Sequence, residues 1–177
     1  MTTEMTASRV RALFAYDCAS GLLRWNVRPA SDFSSARVAK IWNARFAGRI
    51  AGSTDVHGYR EISVDNRAFK AHRLAWLWVT GDWPCGDIDH LDGNRLNNQF
   101  SNLRDVARRV NCENRRSVRS DSGTGLLGAH FHKASQLFHA CIKAQGTKHS
   151  LGYFKTAEAA HAAYVNAKRQ LHEGCTI

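Results

Sequence analysis

The chain has 177 residues, which suits one domain or two small ones, and its hydrophobic fraction of 44% is ordinary for a globular protein. Lys and Arg outnumber Asp and Glu by 25 to 15, and the formal net charge of +10 favours a polyanionic partner, either nucleic acid or an anionic membrane. No apolar run approaches the ~20 residues of a membrane-spanning helix, and the N-terminus lacks an apolar signal core, so we expect a cytoplasmic protein without membrane contact. The five cysteines are scattered and form no CxxC pair, which argues against a disulfide framework and against zinc.

The first half of the chain mixes helix-like and strand-like patterns. Its predicted elements, in chain order, are a helix over 6–16, a strand over 21–27, a long loop with at most one helical turn over 29–47, strands over 48–55 and 58–73, and an apolar helix over 72–81. Asp65 and Asn66 give a hairpin turn signal, and Gly81 marks the end of the apolar helix. The sequence does not indicate a role for residues 29–47.

Residues 88–98, "IDHLDGNRLNN", place carboxylates, an imidazole and amides in one short stretch of a strongly basic chain. The pattern predicts a very short strand ending at His90, a second short strand in 99–106, and a helix over 106–116 capped by Asp105. Asn111 lies in the middle of that helix, where asparagine is unfavourable on propensity alone.

These residue types fit the hydrolysis of a phosphodiester bond. Histidine can accept a proton near neutral pH, so His90 can deprotonate a water molecule. Asp89 can hold Mg²⁺, which typically binds one or two carboxylates and keeps several waters, and Asn111 is a candidate for a second protein oxygen.

The stretch "AHRLAW…IDHLDGNRLNNQFSNLRDVARRVNCENR" resembles the HNH endonucleases of the His-Me finger (ββα-metal) class, in their phage and intron homing type, over roughly residues 55–116. The resemblance implies that His90 is the general base, Asp89 a metal ligand, and Asn102 the residue that tethers the loop and orients the His90 ring. It also implies that Asn111 binds the metal, one Mg²⁺ or Mn²⁺ ion per site. Members of the family cut DNA and leave 5′-phosphate and 3′-hydroxyl ends.

Each of these residues can also have a purely structural role. An Asp-His pair is usually structural, Asn94 and Asn98 can serve only as turn caps, and His72 suits a structural role. A nucleophilic pair of Cys85 and His90 has no support beyond their proximity in sequence. The ordered set of motifs, rather than any single residue, favours catalysis.

Arginines cluster on and after the helix that contains Asn111. Contacts from arginine to phosphate supply affinity without sequence information, and a solvated basic face is the alternative. The arginines predicted to contact DNA are Arg108, Arg109, Arg115, Arg116 and Arg119. Residues 117–125 are rich in Ser and Gly and predict a linker.

Beyond this linker the chain predicts three strands and one helix, with Thr156 as the helix N-cap. The segments "LLGAHFHK", "FHACIKA" and "HSLGYFKTAEAAHAAY" resemble the ethylene-response-factor type of DNA-binding domain over residues 124–172. That resemblance implies a sheet in the DNA major groove with the helix packed on its back. The residues expected to contact DNA are His130, His132, Lys133, His139, Lys143, Lys148 and Ser150.

This region also departs from that family. His130 and His132 stand where arginines are common, and Phe138 and Ser150 occupy positions that are often Trp. We therefore hypothesise weaker DNA contacts that strengthen as pH falls and the histidines become charged.

The sequence thus predicts an α+β protein: a ββα-metal nuclease domain (1–116, core motif 72–116) preceded by antiparallel strands, a linker (117–125), and a small three-stranded antiparallel sheet packed on one helix (126–177). We expect a phage-encoded or bacterial, metal-dependent endonuclease that nicks double-stranded DNA as a monomer, with a dimer as the alternative, and that uses neither zinc nor a small-molecule cofactor. The rivals are a DNA-binding regulator with an inactive site and, ranked last, an RNA-binding protein.

Overall fold

The computed structural model describes residues 4–118 and 122–176, so Arg119, a predicted DNA contact, lies outside the described residues. The chain is α+β and divides into two compact units, Met1–Val106 and Ala107–Ile177. This division falls before the predicted linker at 117–125, so the helix that carries Asn111 belongs to the second unit.

Among its described residues, the first unit contains three α-helices and seven short strands, joined in antiparallel sheets. In chain order these are α1 (Ala7–Leu13), β1 (Phe14–Asp17), β2 (Leu22–Trp25), α2 (Ala36–Phe46), β3 (Ser53–Thr54), β4 (Arg60–Val64), β5 (Arg67–Lys70), α3 (Ala71–Thr80), β6 (Asp87–His90) and β7 (Leu103–Val106).

The helix predicted over 6–16 is shorter than expected. Thr6 caps it by accepting a hydrogen bond from the backbone N–H of Arg9, and the helix ends at Leu13. The chain then becomes β1, in which Phe14 and Tyr16 are buried while Ala15 and Asp17 are exposed. This alternation of period two favours a strand, and β1 pairs with β2 in antiparallel register.

The prediction of a loop over 29–47 was wrong. After a 3₁₀ turn at Ala30–Asp32, residues Ala36–Phe46 form the 11-residue helix α2, capped by Ser35. Its core face consists of Ala39, Trp42 and Phe46, and this stripe of three residues is too sparse to stand out against the alanine, arginine and lysine around it.

The hairpin and the apolar helix that follow were predicted correctly. Asp65 and Asn66 both adopt positive φ, 48° and 62°, as a two-residue hairpin turn between β4 and β5 requires. Helix α3 ends at Gly81, which has φ 91° and so satisfies the left-handed C-cap conformation. The strand predicted over 48–55 is reduced to β3 and an isolated bridge between Arg24 and Ile50.

Strands β6 and β7 confirm the two short strands predicted around the motif. They pair in antiparallel register, with Asp89 opposite Arg104 and His90 opposite Leu103. The prediction that Asp105 caps a helix was wrong. Asp105 lies in β7, and its carboxylate accepts hydrogen bonds from the backbone N–H groups of Cys85 (2.7 Å) and Gly86 (2.8 Å), which fixes the entry into β6.

Within the part that the structure describes, the second unit contains two helices and a three-stranded antiparallel sheet of strand order β10-β9-β8. Its elements are α4 (Arg108–Glu113), β8 (Ala129–His132), β9 (Leu137–Ala144), β10 (Thr147–Phe154) and α5 (Ala157–Leu171). The sheet and α5, with Thr156 as N-cap, were predicted correctly. Helix α4 is shorter than the predicted 106–116. The side chains of Glu113 and Asn114, at its C-terminal end, accept hydrogen bonds from the backbone N–H of Gly174 and from the hydroxyl of Thr176.

Helix α5 packs on one face of the sheet. Ala129, Ala140 and Ala160 are buried between them, as the predicted alternation requires. Phe131 lies on this face too but is 47% exposed. Among the described residues, no helix is long and apolar enough to cross a membrane.

Candidate active site

The hairpin β6–β7 and its connecting loop hold three of the predicted catalytic residues. Asp89 and His90 end β6, and Asn102 immediately precedes β7. All three are buried, with 6%, 5% and 8% of their surfaces exposed. Buried polar side chains are normally hydrogen-bonded, so their partners define the geometry of the site.

Asn102 closes the loop between the two strands, as predicted. Its side-chain oxygen accepts a hydrogen bond from the backbone N–H of Asp92 at 3.0 Å, and its amide nitrogen donates to the Asp92 carboxylate and to the Asn97 carbonyl, both at 2.9 Å. Its backbone carbonyl accepts from Leu91. One asparagine thus binds the beginning and the end of the loop.

Asp92 is the second anchor of the loop. It accepts hydrogen bonds from the Asn97 amide (2.7 Å) and from the backbone N–H of Asn94 (2.8 Å), besides the one from Asn102. Partial desolvation raises the pKa of Asp92, but these hydrogen bonds outweigh it and lower the pKa below the usual value of 3.8. Asp92 therefore stays ionised and keeps the loop closed at neutral pH.

The ring of His90 is hydrogen-bonded to Asn98, whereas the side chain of Asn102, which the resemblance implies orients this ring, binds the loop. Nε2 of His90 lies 3.0 Å from Oδ1 of Asn98. An amide oxygen can only accept a hydrogen bond, so with this orientation of the Asn98 amide Nε2 is the donor, and Nδ1 is the ring nitrogen that does not contact Asn98. The sequence offered a signal in Asn98, but its plainer interpretation, like that of Asn94, is a turn cap.

Asn98 is itself held firmly, with 1% of its surface exposed. Its backbone carbonyl accepts a hydrogen bond of 2.7 Å from the hydroxyl of Tyr16, and burial, with a smaller effect from Cys18, raises the pKa of Tyr16 to about 12. Gly21 lies so close to Asn98 and Gln99 that a Cβ there would overlap their backbone. The turn between β1 and β2 thus supports the residue that orients His90.

Two further rings enclose His90. The ring centroids of His72 and Tyr59 lie 5.1 Å and 6.0 Å from that of His90. Burial, and secondarily the charge of His90, lower the pKa of His72 to about 3, so His72 is neutral at physiological pH. Its Nδ1 is buried and has no hydrogen-bond partner within the described part of the chain. Arg95 lies over Tyr59 at 5.1 Å, which places a cation beside this cluster.

Asp89 is the candidate metal ligand of this unit. Its Oδ2 accepts two hydrogen bonds from Arg104, at 2.9 Å from Nε and 2.7 Å from Nη2. Carboxylates that bind metals are commonly oriented by such outer hydrogen bonds, and a hard divalent cation needs few protein carboxylates. The donor chemistry of Asp89 therefore fits Mg²⁺ or Mn²⁺.

The other predicted metal ligand, Asn111, lies in α4 of the second unit. Within this unit Arg109 bridges Glu113 and Glu173, at 2.8 Å from each, and Arg116 binds Thr176. Both arginines were predicted to contact phosphate, and the structure gives them partners inside the unit. Arg108 and Arg115 are the other arginines of this cluster among the described residues.

The predicted DNA contacts of the C-terminal sheet lie on its face opposite α5. We call this the outer face, defined by His130, His132, His139, Lys143, Lys148, Ser150 and Tyr153. Tyr153, which the sequence did not suggest, stacks on His139 at 4.8 Å, and Ser150 binds Nε2 of His139 at 2.9 Å. Lys133 lies in the turn that follows β8. Partial burial and the nearby charges of Lys148, His132 and His130 lower the pKa of His139.

Comparison with known proteins gives two matches. Residues 69–112 match the HNH endonuclease family. Protein 3.8 of Escherichia phage T7 is 30% identical over 107 residues, which cover 60% of this chain and 87% of that protein. No solved structure matches the chain significantly. The match at 69–112 contains the buried cluster of Asp89, His90, Asn98 and Asn102, and it indicates a nuclease. The chain belongs to the family of phage T7 protein 3.8, with an HNH endonuclease domain at residues 69–112.

Proposed function

We propose that the chain is a metal-dependent endonuclease that nicks double-stranded DNA and that its second unit binds the same DNA. The observation that carries the proposal is the hydrogen bond between Nε2 of His90 and Asn98, because it directs the basic Nδ1 lone pair of a buried, rigidly held imidazole. The loop closed by Asn102 and Asp92 keeps this arrangement in place before substrate arrives.

In the proposed reaction, Nδ1 of His90 accepts a proton from a water molecule. The water oxygen forms a bond to phosphorus while the bond from phosphorus to the 3′-oxygen breaks. The 3′-oxygen takes up a proton from solvent, so the products are a 5′-phosphate and a 3′-hydroxyl. A single site cuts one strand, so a monomer nicks, and two assembled copies are needed for a double-strand break.

Asp89 and Asn111 are the residues that we propose to hold the divalent ion. HNH nucleases are generally dependent on such an ion, which when bound neutralises charge on the phosphate and on the leaving oxygen. Arg104 orients the Asp89 carboxylate. A ββα-metal arrangement, in which α4 follows β6 and β7, is part of this proposal.

The second unit is proposed to hold DNA through its outer face and Lys133. The outer face has lysines at 143 and 148 and three histidines, and no Asp or Glu is among the residues that define it. Phosphate binding needs such a face, and Tyr153 adds an exposed aromatic ring.

The test is the conversion of supercoiled plasmid to open circle, with Mg²⁺ or with EDTA. We expect His90→Ala to lower the nicking rate by about 10²- to 10⁴-fold, the range for loss of a general base. Asn111→Ala and Asp89→Ala should raise the Mg²⁺ concentration needed for half-maximal nicking.

Matched controls are His57→Ala, another histidine of the same unit, and Asn166→Ala, another helical asparagine. Both should nick like the wild type. Wild-type protein that binds the plasmid without metal-dependent nicking would instead support a DNA-binding regulator with an inactive site, once a plasmid carrying flanking genomic DNA has also failed.

A further inference from the structure

Helix α2 and its surroundings form the most one-sidedly basic stretch of the first unit. Residues 33–54 contain Arg37, Lys40, Arg45 and Arg49 and no acidic residue. The site geometry described above leaves this segment without a function. A cationic stretch without acidic residues is unusual in a chain with 15 acidic residues, so its cations need an explanation.

The cations of α2 occupy helical positions opposite its core face, and the guanidinium of Arg45 reaches over the edge to the Phe46 ring, at 5.1 Å. Trp42 packs against Trp25 at 5.0 Å and against Phe46 at 5.1 Å, and Ala39 is buried beside them. At about 100° per residue, Arg37, Lys40 and Arg45 fall within an arc of roughly 140° on the other side. All three are exposed, and we call them the α2 basic face.

Nearby arginines of the same unit are neutralised, whereas this face is not. Arg9 and Arg28 share Asp32 at 2.9 Å and 3.0 Å, and both also pair with Asp65. No carboxylate within the described residues forms an ion pair with Arg37, Lys40 or Arg45. The carboxylates of Asp32 and Asp65 are thus already paired with Arg9 and Arg28.

Arg37 also occupies a position that disfavours a cation. It is the second residue of α2, close to the positive end of the helix dipole, and no acidic residue lies in the first turn. Cations are favoured at the C-terminal end of a helix and anions at its N-terminal end, by about 0.3–1 kcal/mol each. A bound anion would relieve this unfavourable arrangement.

We propose that the α2 basic face binds the sugar–phosphate backbone of double-stranded DNA. The inference rests on the proposed function and extends it, because it gives the first unit, which contains His90, a DNA-binding surface of its own. The contacts are to phosphates and so contribute affinity without sequence selectivity.

An anionic membrane surface is the competing partner for a basic helix. Membrane-surface helices bury a broad apolar face in the lipid. In α2 the large apolar residues Trp42 and Phe46 are packed into the core, and Ile41 is the one large aliphatic residue within the arc of the cations. The chemistry therefore favours phosphates in solution over lipid.

The experiment measures the affinity of the full-length protein for a short fluorescent DNA duplex in EDTA, across a series of salt concentrations. The variant is R37Q/K40Q/R45Q, and the charge-matched control is R11Q/R67Q/K155Q, which removes three exposed cations outside the proposed surfaces. A second variant, R37K/R45K, keeps the charges. Circular dichroism establishes that each variant is folded.

We expect the α2 variant to lose affinity by at least 10-fold and its log–log salt slope to fall by about 2–3, since each lost phosphate contact removes about 0.9. The control and the lysine variant should keep the wild-type slope. An unchanged slope in the α2 variant overturns the inference and leaves the proposed function standing, because the wild type still binds and nicks. Wild-type protein that binds anionic vesicles and not the duplex overturns both.

Discussion

The two units differ in how they are stabilised. The core of the first unit is built from large side chains, among them Phe14, Leu23, Trp25 and Leu74. Among the described residues of the second unit, the buried apolar side chains are four alanines and Ile142, with partly buried larger side chains around them. Alanines exclude little apolar surface from water, so the second unit depends on the close approach of its helix to its sheet.

The two units also differ in the burial of the residues that carry the proposed function. The polar residues around His90 are buried and bind one another, whereas the outer face of the second unit exposes its lysines and Tyr153. A general base needs one fixed orientation, which buried hydrogen bonds supply. A face that follows phosphates needs reach and charge more than rigidity. The candidate active site around His90 is therefore preorganised, at the cost of burying polar groups. The outer face of the second unit remains exposed and is not preorganised in this way.

The largest expected effect is on the second core. Gly128 has φ 74°, and a Cβ there would overlap the ring of Tyr164 on α5. We expect Gly128→Ala to destabilise the second unit by more than about 3 kcal/mol, because overpacking adds to the left-handed strain. The measurement is urea denaturation followed by far-UV circular dichroism.

Gly146→Ala is the matched control for this substitution. Gly146 has a similar φ of 83°, but a Cβ there meets no atom, so only the strain of about 1–2 kcal/mol remains. All five tryptophans lie in the first unit, and their fluorescence reports that unit alone. Equal losses for the two variants would show that the approach of α5 is not critical.

A smaller effect is expected from His72 in the first unit. Its pKa is lowered to about 3 in the folded protein from 6.5, so below pH 6.5 the unfolded chain binds a proton that the folded protein does not. Stability contributed by the neutral ring is complete above pH 6.5 and is lost as pH falls towards 3. Between pH 7 and pH 5 the loss is about 2 kcal/mol.

The measurement for His72 is the free energy of unfolding against pH, from tryptophan fluorescence in urea. His72→Phe keeps a ring of similar shape and removes the titration, so its profile should be flatter by about 2 kcal/mol over the same interval. Parallel profiles for the two proteins would contradict the burial of a neutral His72.

The accuracy of sequence-based prediction also differed along the chain. The turn at Asp65–Asn66, the end of α3 at Gly81 and the helix after Thr156 were predicted because each has a local chemical cause. Helix α2 was missed because its burial rests on aromatic contacts with Trp25, which is distant in sequence. Local propensity does not contain such contacts.

The candidate site shows the same limit. The strand positions of Asp89 and His90 and the loop closure by Asn102 followed from the motif. The role of Asn98 did not, because it depends on Tyr16 and on the backbone at Gly21. Only the folded chain brings the turn between β1 and β2 to the loop that holds the catalytic candidate.

The smallest expected effect concerns the histidines of the outer face. As pH falls from 8 to 6, histidines take up protons, so DNA affinity of the full-length protein should rise by about 2- to 5-fold at fixed salt, on the order of one added phosphate contact. Partial burial and neighbouring cations lower the pKa of His139, so it charges at a lower pH than an ordinary histidine. We expect H130Q/H132Q to flatten the dependence of affinity on pH. The control is His149→Gln, whose register partner Ile142 is buried on the helix side, and it should leave the dependence unchanged.

Two outcomes would contradict this prediction. A flat wild-type profile would show that the outer face holds DNA through its lysines alone, and equal flattening by His149→Gln would assign the effect to net charge instead of to this face.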